Sequence, residues 1–161
     1  MAPRTEKGTA VVEFALVLPL FMLLIIGLVD FGKGFNYWID QTHLANEAAR
    51  FAVVNRNPGE DAGDTLQEYI RQHANTGELA NGGTSSVADE LAVCIEFPEA
   101  SPTDPAKAGD PVTVRVKTTY NWMPFLDANV GFSTVTVNGT ATMRLEADPT
   151  AYDPADNSED C

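Results

Sequence analysis

The chain has 161 residues, 44% of them hydrophobic, and a formal net charge of −13. That length allows one modest domain beside a membrane segment, and the apolar content excludes general disorder. The acidity argues against nucleic acid or an anionic membrane surface as the main partner of the polar part, and its simplest meaning is solubility.

Residues 1–8 read as a short polar leader with Arg4 and Lys7. The run Thr9 to Val29 then carries a single charge, Glu13, and matches the ~20 apolar residues needed to cross a bilayer. Asp30 follows, and acids predominate beyond it. The positive-inside rule places the N-terminus in the cytoplasm and the C-terminal body outside. A cleaved secretory signal would have an apolar core of roughly 7–15 residues ending at a small-x-small site. This run ends instead in Gly27-Leu28-Val29-Asp30-Phe31-Gly32-Lys33. Within it, Glu13 needs a reason, because a charge costs about 2.5–3.5 kcal/mol at a helix centre and somewhat less near an end.

Past Asp30, apolar or small residues recur at Phe31, Phe35, Trp38, Thr42, Ala45, Ala49 and Ala52, in alternating steps of four and three. Leu44, Ala48 and Phe51 widen that stripe, so one helix is expected over 9–54 with this face inward. Asn55-Arg56-Asn57-Pro58-Gly59 should end it. Pro19 can kink the membrane part. Gly32 and Gly34 predict either a hinge at the membrane surface or a helix interrupted there.

A second helix is expected over 64–75, capped by Asp64 with Gln67 as its box partner, and with Leu66, Tyr69, Ile70 and His73 on its apolar side. Asn81-Gly82-Gly83-Thr84-Ser85-Ser86 reads as a flexible loop. Strands follow. Leu91, Val93, Ile95 and Phe97 alternate with Ala92, Cys94 and Glu96, and Val112, Val114, Val116, Thr118 and Tyr120 alternate with more polar residues. The four prolines Pro98, Pro102, Pro105 and Pro111 mark a surface connection. In 133–146, Asn138-Gly139 could form a two-residue hairpin turn, but that would set Val137 against Thr140 and Val135 against Thr142. Read straight through, Val135, Val137, Gly139, Ala141, Met143 and Leu145 share one face, so one long strand with a soft spot at Gly139 is expected. Residues 148–161 read as an acidic, solvated tail.

The fold class is therefore α+β: a long N-terminal membrane-spanning helix continuing into an exported domain (30–147, with the helix continuing over 30–54) that holds a short helix and a three- to four-stranded antiparallel sheet. Export would put Cys94 and Cys161 in a disulfide-permissive compartment. A bridge between them and two free thiols both remain open. Catalytic readings are weak. His43 and His73 lie in no metal spacing and on predicted helices, and no nucleophile elbow is present. Glu60, Asp61 and Asp64 read as a loop and a cap. Asp153, Asp156, Glu159 and Asp160 lack the calcium-loop pattern and its glycine. Asn138-Gly139-Thr140 fits a glycosylation sequon inside a strand, which carries little meaning there. Trp38 and Trp122 read as core or interface aromatics. No enzyme activity, cofactor or metal is expected.

Gly8-Thr9-Ala10-Val11-Val12-Glu13-Phe14 resembles the cleavage and assembly motif of type IV pilin-like proteins. The fuller stretch through Pro19-Leu20, with Val29-Asp30-Phe31-Gly32, Asn46-Glu47-Ala48-Ala49-Arg50-Phe51-Ala52 and Ala141-Thr142-Met143-Arg144-Leu145-Glu146, is similar to the TadE-like family of the tight-adherence (type IVc) pilus system. That resemblance implies a membrane prepilin peptidase cutting between Gly8 and Thr9. It also implies Glu13 as the fifth residue of the mature chain, and pilus subunits, pilus-assembly membrane proteins and the lipid bilayer as further partners. The new α-amino cation at Thr9 would then offset the Glu13 charge. Phe14 stands where the major pilins of the system usually have tyrosine, and those subunits are much shorter. The resemblance thus points to a minor pilin or pseudopilin in the inner membrane. A signal-anchored exported domain that binds a ligand or envelope partner is the alternative.

Overall fold

A computed structural model describes residues 6–101, 103–124, 134–150, 152 and 161. The leader before Glu6 lies outside the described residues, as do Asp153, Asp156, Glu159 and Asp160 of the tail. Helix α1 runs from Glu6 to Val53 with Pro19 inside it. It is followed by a single 3₁₀ turn at Glu60–Ala62 and two short helices, α2 (Leu66–Gln72) and α3 (Gly77–Asn81). Three strands complete the fold: β1 (Ala92–Glu96), β2 (Pro111–Asn121) and β3 (Thr134–Arg144).

The expected interruption near Gly32 and Gly34 is absent, and α1 is helical through both. Packing supplies what propensity lacks. Gly34 is buried, and a Cβ there would stand 3.5 Å from the Tyr120 ring and 3.6 Å from that of Trp122. The helix stops by geometry that the Pro-Gly signal did not specify. Asn55 takes a left-handed φ of 51°. Its N–H bonds Ala52 O at 3.1 Å, and the Arg56 N–H bonds Phe51 O at 3.0 Å, which is the paired bonding of a Schellman cap with asparagine in place of glycine. The chain returning after β3 completes this end, with the Glu146 N–H on Val53 O at 2.9 Å.

The inner face of α1 agrees with the expected stripe only in its second half, where Leu44, Ala45, Ala48, Ala49 and Ala52 are buried. Nearer the apolar run the stripe is rotated. Gly34, Tyr37 and Gln41 face the sheet, while Phe31, Phe35 and Trp38 remain 59%, 50% and 48% exposed. The bulky rings of Tyr120 and Trp122 stand at this level; Gly34 leaves them room, and Tyr37 packs edge-on against Tyr120. Apolarity along the helix could not reveal what stands opposite.

The sheet has the order β1-β2-β3, antiparallel throughout. Val93 faces Val116 and Ile95 faces Val114 in one ladder; Val114 faces Ala141 and Val116 faces Gly139 in the other. One apolar face results, and α1 covers it against β2 and β3. Asn138 and Gly139 lie inside β3, opposite Lys117 and Val116, so β3 is one continuous strand. Gly139, however, is no soft spot. The backbone of Gln41 and Thr42 passes directly over it, in the space a Cβ would need. It marks a close approach of helix to sheet.

The short-helix region also differs from expectation. Thr65, not Asp64, caps α2, accepting from the Glu68 N–H at 3.2 Å. The cap and its third residue are thus Thr65 and Glu68, one position later than the expected Asp64 and Gln67. Leu66 and Ile70 are buried as expected, Tyr69 is half-buried and His73 is exposed. Asn75-Thr76-Gly77 does not merely end a helix: the Thr76 hydroxyl accepts from the Leu79 N–H and starts α3. The Asp40 carboxylate anchors this junction, accepting from the Asn75 N–H at 3.1 Å and from its side-chain amide.

Candidate functional site

From Val11 to Val29 the large apolar side chains of α1 are exposed, between 39% and 75%. This is the one helix among the described residues long and apolar enough to cross a membrane. Gly8, Thr9, Glu13 and Phe14 all lie on its exposed first turns. Thr9 and Glu13 are four residues apart and share a helix face. Among the described residues nothing encloses this group; its chemistry is a carboxylate on an apolar stretch of helix.

Where the apolar run ends, the domain is tied to the helix. The Asp30 carboxylate accepts from the Tyr120 hydroxyl at 2.6 Å through Oδ1 and from the Met123 N–H at 2.9 Å through Oδ2. Burial, and then the hydrogen bond to Asp30, push the Tyr120 hydroxyl above its usual pKa. Met123 holds a left-handed φ of 43°, and its Cε would lie 2.8 Å from a Cβ on Gly27. In the sequence Asp30 marks the limit of the span and belongs to the family-like stretch Val29-Asp30-Phe31-Gly32, with no bonding partner indicated. Nothing in the local pattern identifies the strand-end tyrosine as its donor.

One turn further, Lys33 and Tyr37 reach α3. Lys33 Nζ lies 2.8 Å from Glu78 Oε2, the Tyr37 hydroxyl donates to Oε2 at 2.7 Å, and the Thr84 hydroxyl donates to Oε1 at 2.5 Å. Burial works against the Glu78 charge. Hydrogen bonds from Lys33, Thr84 and Tyr37, together with the Lys33 charge, outweigh it and hold the carboxyl at about 2, below its ordinary 4.5. A depressed carboxylate adds stability above its unfolded pKa, and that stability is lost as pH falls through the folded value. Glu78→Gln should therefore cost about 1 kcal/mol at neutral pH, the value for a charged hydrogen bond discounted for partial exposure. The difference in denaturation midpoint from the wild type should shrink between pH 4.5 and 2. A gap independent of pH would remove the electrostatic role.

Cys94 and Cys161 are joined as a disulfide, with a Cα–Cα distance of 5.6 Å across 67 residues. On the chain-entropy account, closing such a loop contributes about 4 kcal/mol. Before it, Tyr152 is buried and donates to Phe51 O at 3.0 Å and to Arg56 O. The region read as a solvated tail is thus pinned to the domain at both of these residues. The histidines take local roles. His73 stacks on Tyr69 with a centroid separation of 4.0 Å, and exposed His43 lies 4.0 Å from Glu47. Glu60 and Asp61 form the 3₁₀ turn, and the Asp64 carbonyl accepts from Asn57 at 2.8 Å. Among the described residues no group of three His, Cys, Asp or Glu side chains is placed to hold a metal.

The decisive combination is an exposed apolar helix with one acid near its start, continuous with the helix that carries an α+β domain. Residues 8–50 match the TadE-like protein family. The TadE-like segment begins at Gly8, includes Thr9, Glu13, Phe14 and Asp30, and ends three residues before α1 does. It covers about a quarter of the chain, so the sheet, α2, α3 and the disulfide lie beyond it. No curated protein and no solved structure matches the chain.

Proposed function

We propose that the chain is a minor pilin or pseudopilin-like structural protein that supports assembly of a tight-adherence pilus. The observation that carries this reading is the TadE-like match over residues 8–50, nearly the whole of α1, with Glu13 five residues after Gly8 on its exposed apolar half. In this reading a prepilin peptidase cuts between Gly8 and Thr9 on the cytoplasmic side of the inner membrane. The mature chain starts at Thr9, crosses the membrane once, and holds its domain outside. Its work is packing rather than chemistry: α1 against other pilus subunits or assembly proteins in the membrane, the α+β domain against further subunits.

Mass spectrometry of the protein from its native host tests the cut directly. The expected N-terminus is Thr9. A chain still beginning at Met1 or Ala2 would remove processing and leave a signal-anchored exported domain.

A further inference from the structure

The rotation of the inner stripe leaves an aromatic edge exposed among the described residues, with Phe31 and Phe35 facing outward and Trp122 half-buried beside them. Phe31 and Phe35 stack at 6.5 Å, Trp122 stacks on Phe31 at 6.0 Å, and Met123 lies against Gly27. This edge is continuous with the exposed apolar helix below it, and Met123 reaches back to a residue inside the apolar run. Height decides what covers it. Counted from Asp30 at the end of the apolar core, a helix rising 1.5 Å per residue puts Phe31 about 2 Å and Phe35 about 8 Å above that boundary. The headgroup zone on each side of a bilayer is about 5–8 Å deep. Asp30, the acid at the boundary, takes its hydrogen bonds from Tyr120 and Met123, so the domain itself can satisfy it where water thins out. Aromatic side chains are the residues that settle at this level.

We propose that the edge formed by Phe31, Phe35, Trp122 and Met123 is set into the headgroup zone of the bilayer. It is a second membrane contact, made by the domain beside its spanning helix. The proposal rests on the membrane-anchored reading of α1. Trp38, eight residues past Asp30 and so about 12 Å above the boundary, lies on the same side but clear of the lipid.

The chain has two tryptophans, so single replacements report each level. The full chain is reconstituted in phosphatidylcholine vesicles, and co-flotation is checked first. Trp38→Phe leaves Trp122, which should be quenched at least twofold more by lipid carrying a nitroxide near the headgroup than by lipid carrying it at the acyl end, and poorly by aqueous iodide. Trp122→Phe leaves Trp38, which should respond mainly to iodide. If Trp38→Phe folds badly, the difference between the wild type and Trp122→Phe gives the same information. Floating protein whose Trp122 ignores both lipid quenchers overturns the proposal and leaves the anchor intact. Shielding of Trp122 that disappears as protein is diluted in lipid also overturns it, by assigning the edge to a second copy. Protein that fails to float overturns the anchor and this contact together.

Discussion

Gly139→Ala should cost about 3 kcal/mol or more, a large share of the 5–15 kcal/mol that holds a typical domain together. The added methyl has no rotamer to escape into, because what stands over Gly139 is the backbone of Gln41 and Thr42, not a flexible side chain. Overpacking of a core usually costs about 1–3 kcal/mol, and more when nothing can move aside. Here relief means lifting α1 off β3, which also loosens Leu44, Ala45 and Ala48 from the strands beneath. Thr140→Ala, next along the strand and exposed on the opposite face, is the matched control and should stay within about 0.5 kcal/mol of wild type. Denaturant midpoints of the two full-length variants in mild detergent provide the comparison. Equal midpoints would show that the helix is free to shift.

Glu13→Ala should give a protein that is made and cleaved yet does not support piliation in its native host. In the proposed mature chain the Thr9 ammonium lies one helical turn from Glu13, in its own chain or a neighbour's. Opposite charges in a low-dielectric setting attract far more strongly than in water. Such a pair would set the axial register of an incoming subunit, whereas apolar side chains alone slide. Removing the carboxylate leaves the helix more apolar and better anchored, so loss of function without loss of membrane insertion is the discriminating pattern. Normal piliation would remove the assembly role of Glu13.

The parts of the fold governed by period were legible in advance. The long helix, the parity that kept β3 as one strand through Asn138-Gly139, and the apolar face of β2 all follow from spacing alone. The parts governed by a partner element were not. Phe31, Phe35 and Trp38 have the right spacing to face inward, but the rings of Tyr120 and Trp122 claim the glycine face instead. Gly139 carries no mark of the helix crossing over it. Thr76 resembles an ordinary turn residue until the Leu79 N–H is seen bonded to it. At the candidate site, Gly8, Thr9, Glu13 and Phe14 are singled out by linear order alone, and the roles proposed for them rest on that order and the family match. The partners of Asp30 and Glu78 carry no such mark, because the donors to Asp30 come from β2 and the turn that follows it, and those to Glu78 from α1 and Thr84.

The absence of a break in α1, together with the bonds that Asp30 makes across to β2 and Met123, has a mechanical meaning. A domain joined by a flexible tether can swivel and absorb a pull by straightening its linker. This one has no such slack. Torque applied to the lower half of the rod turns the sheet through the same angle. Tension along the rod reaches the sheet as shear across the whole line of Gly34, Gln41, Ala45 and Ala48, so many contacts must yield together rather than peel apart one at a time.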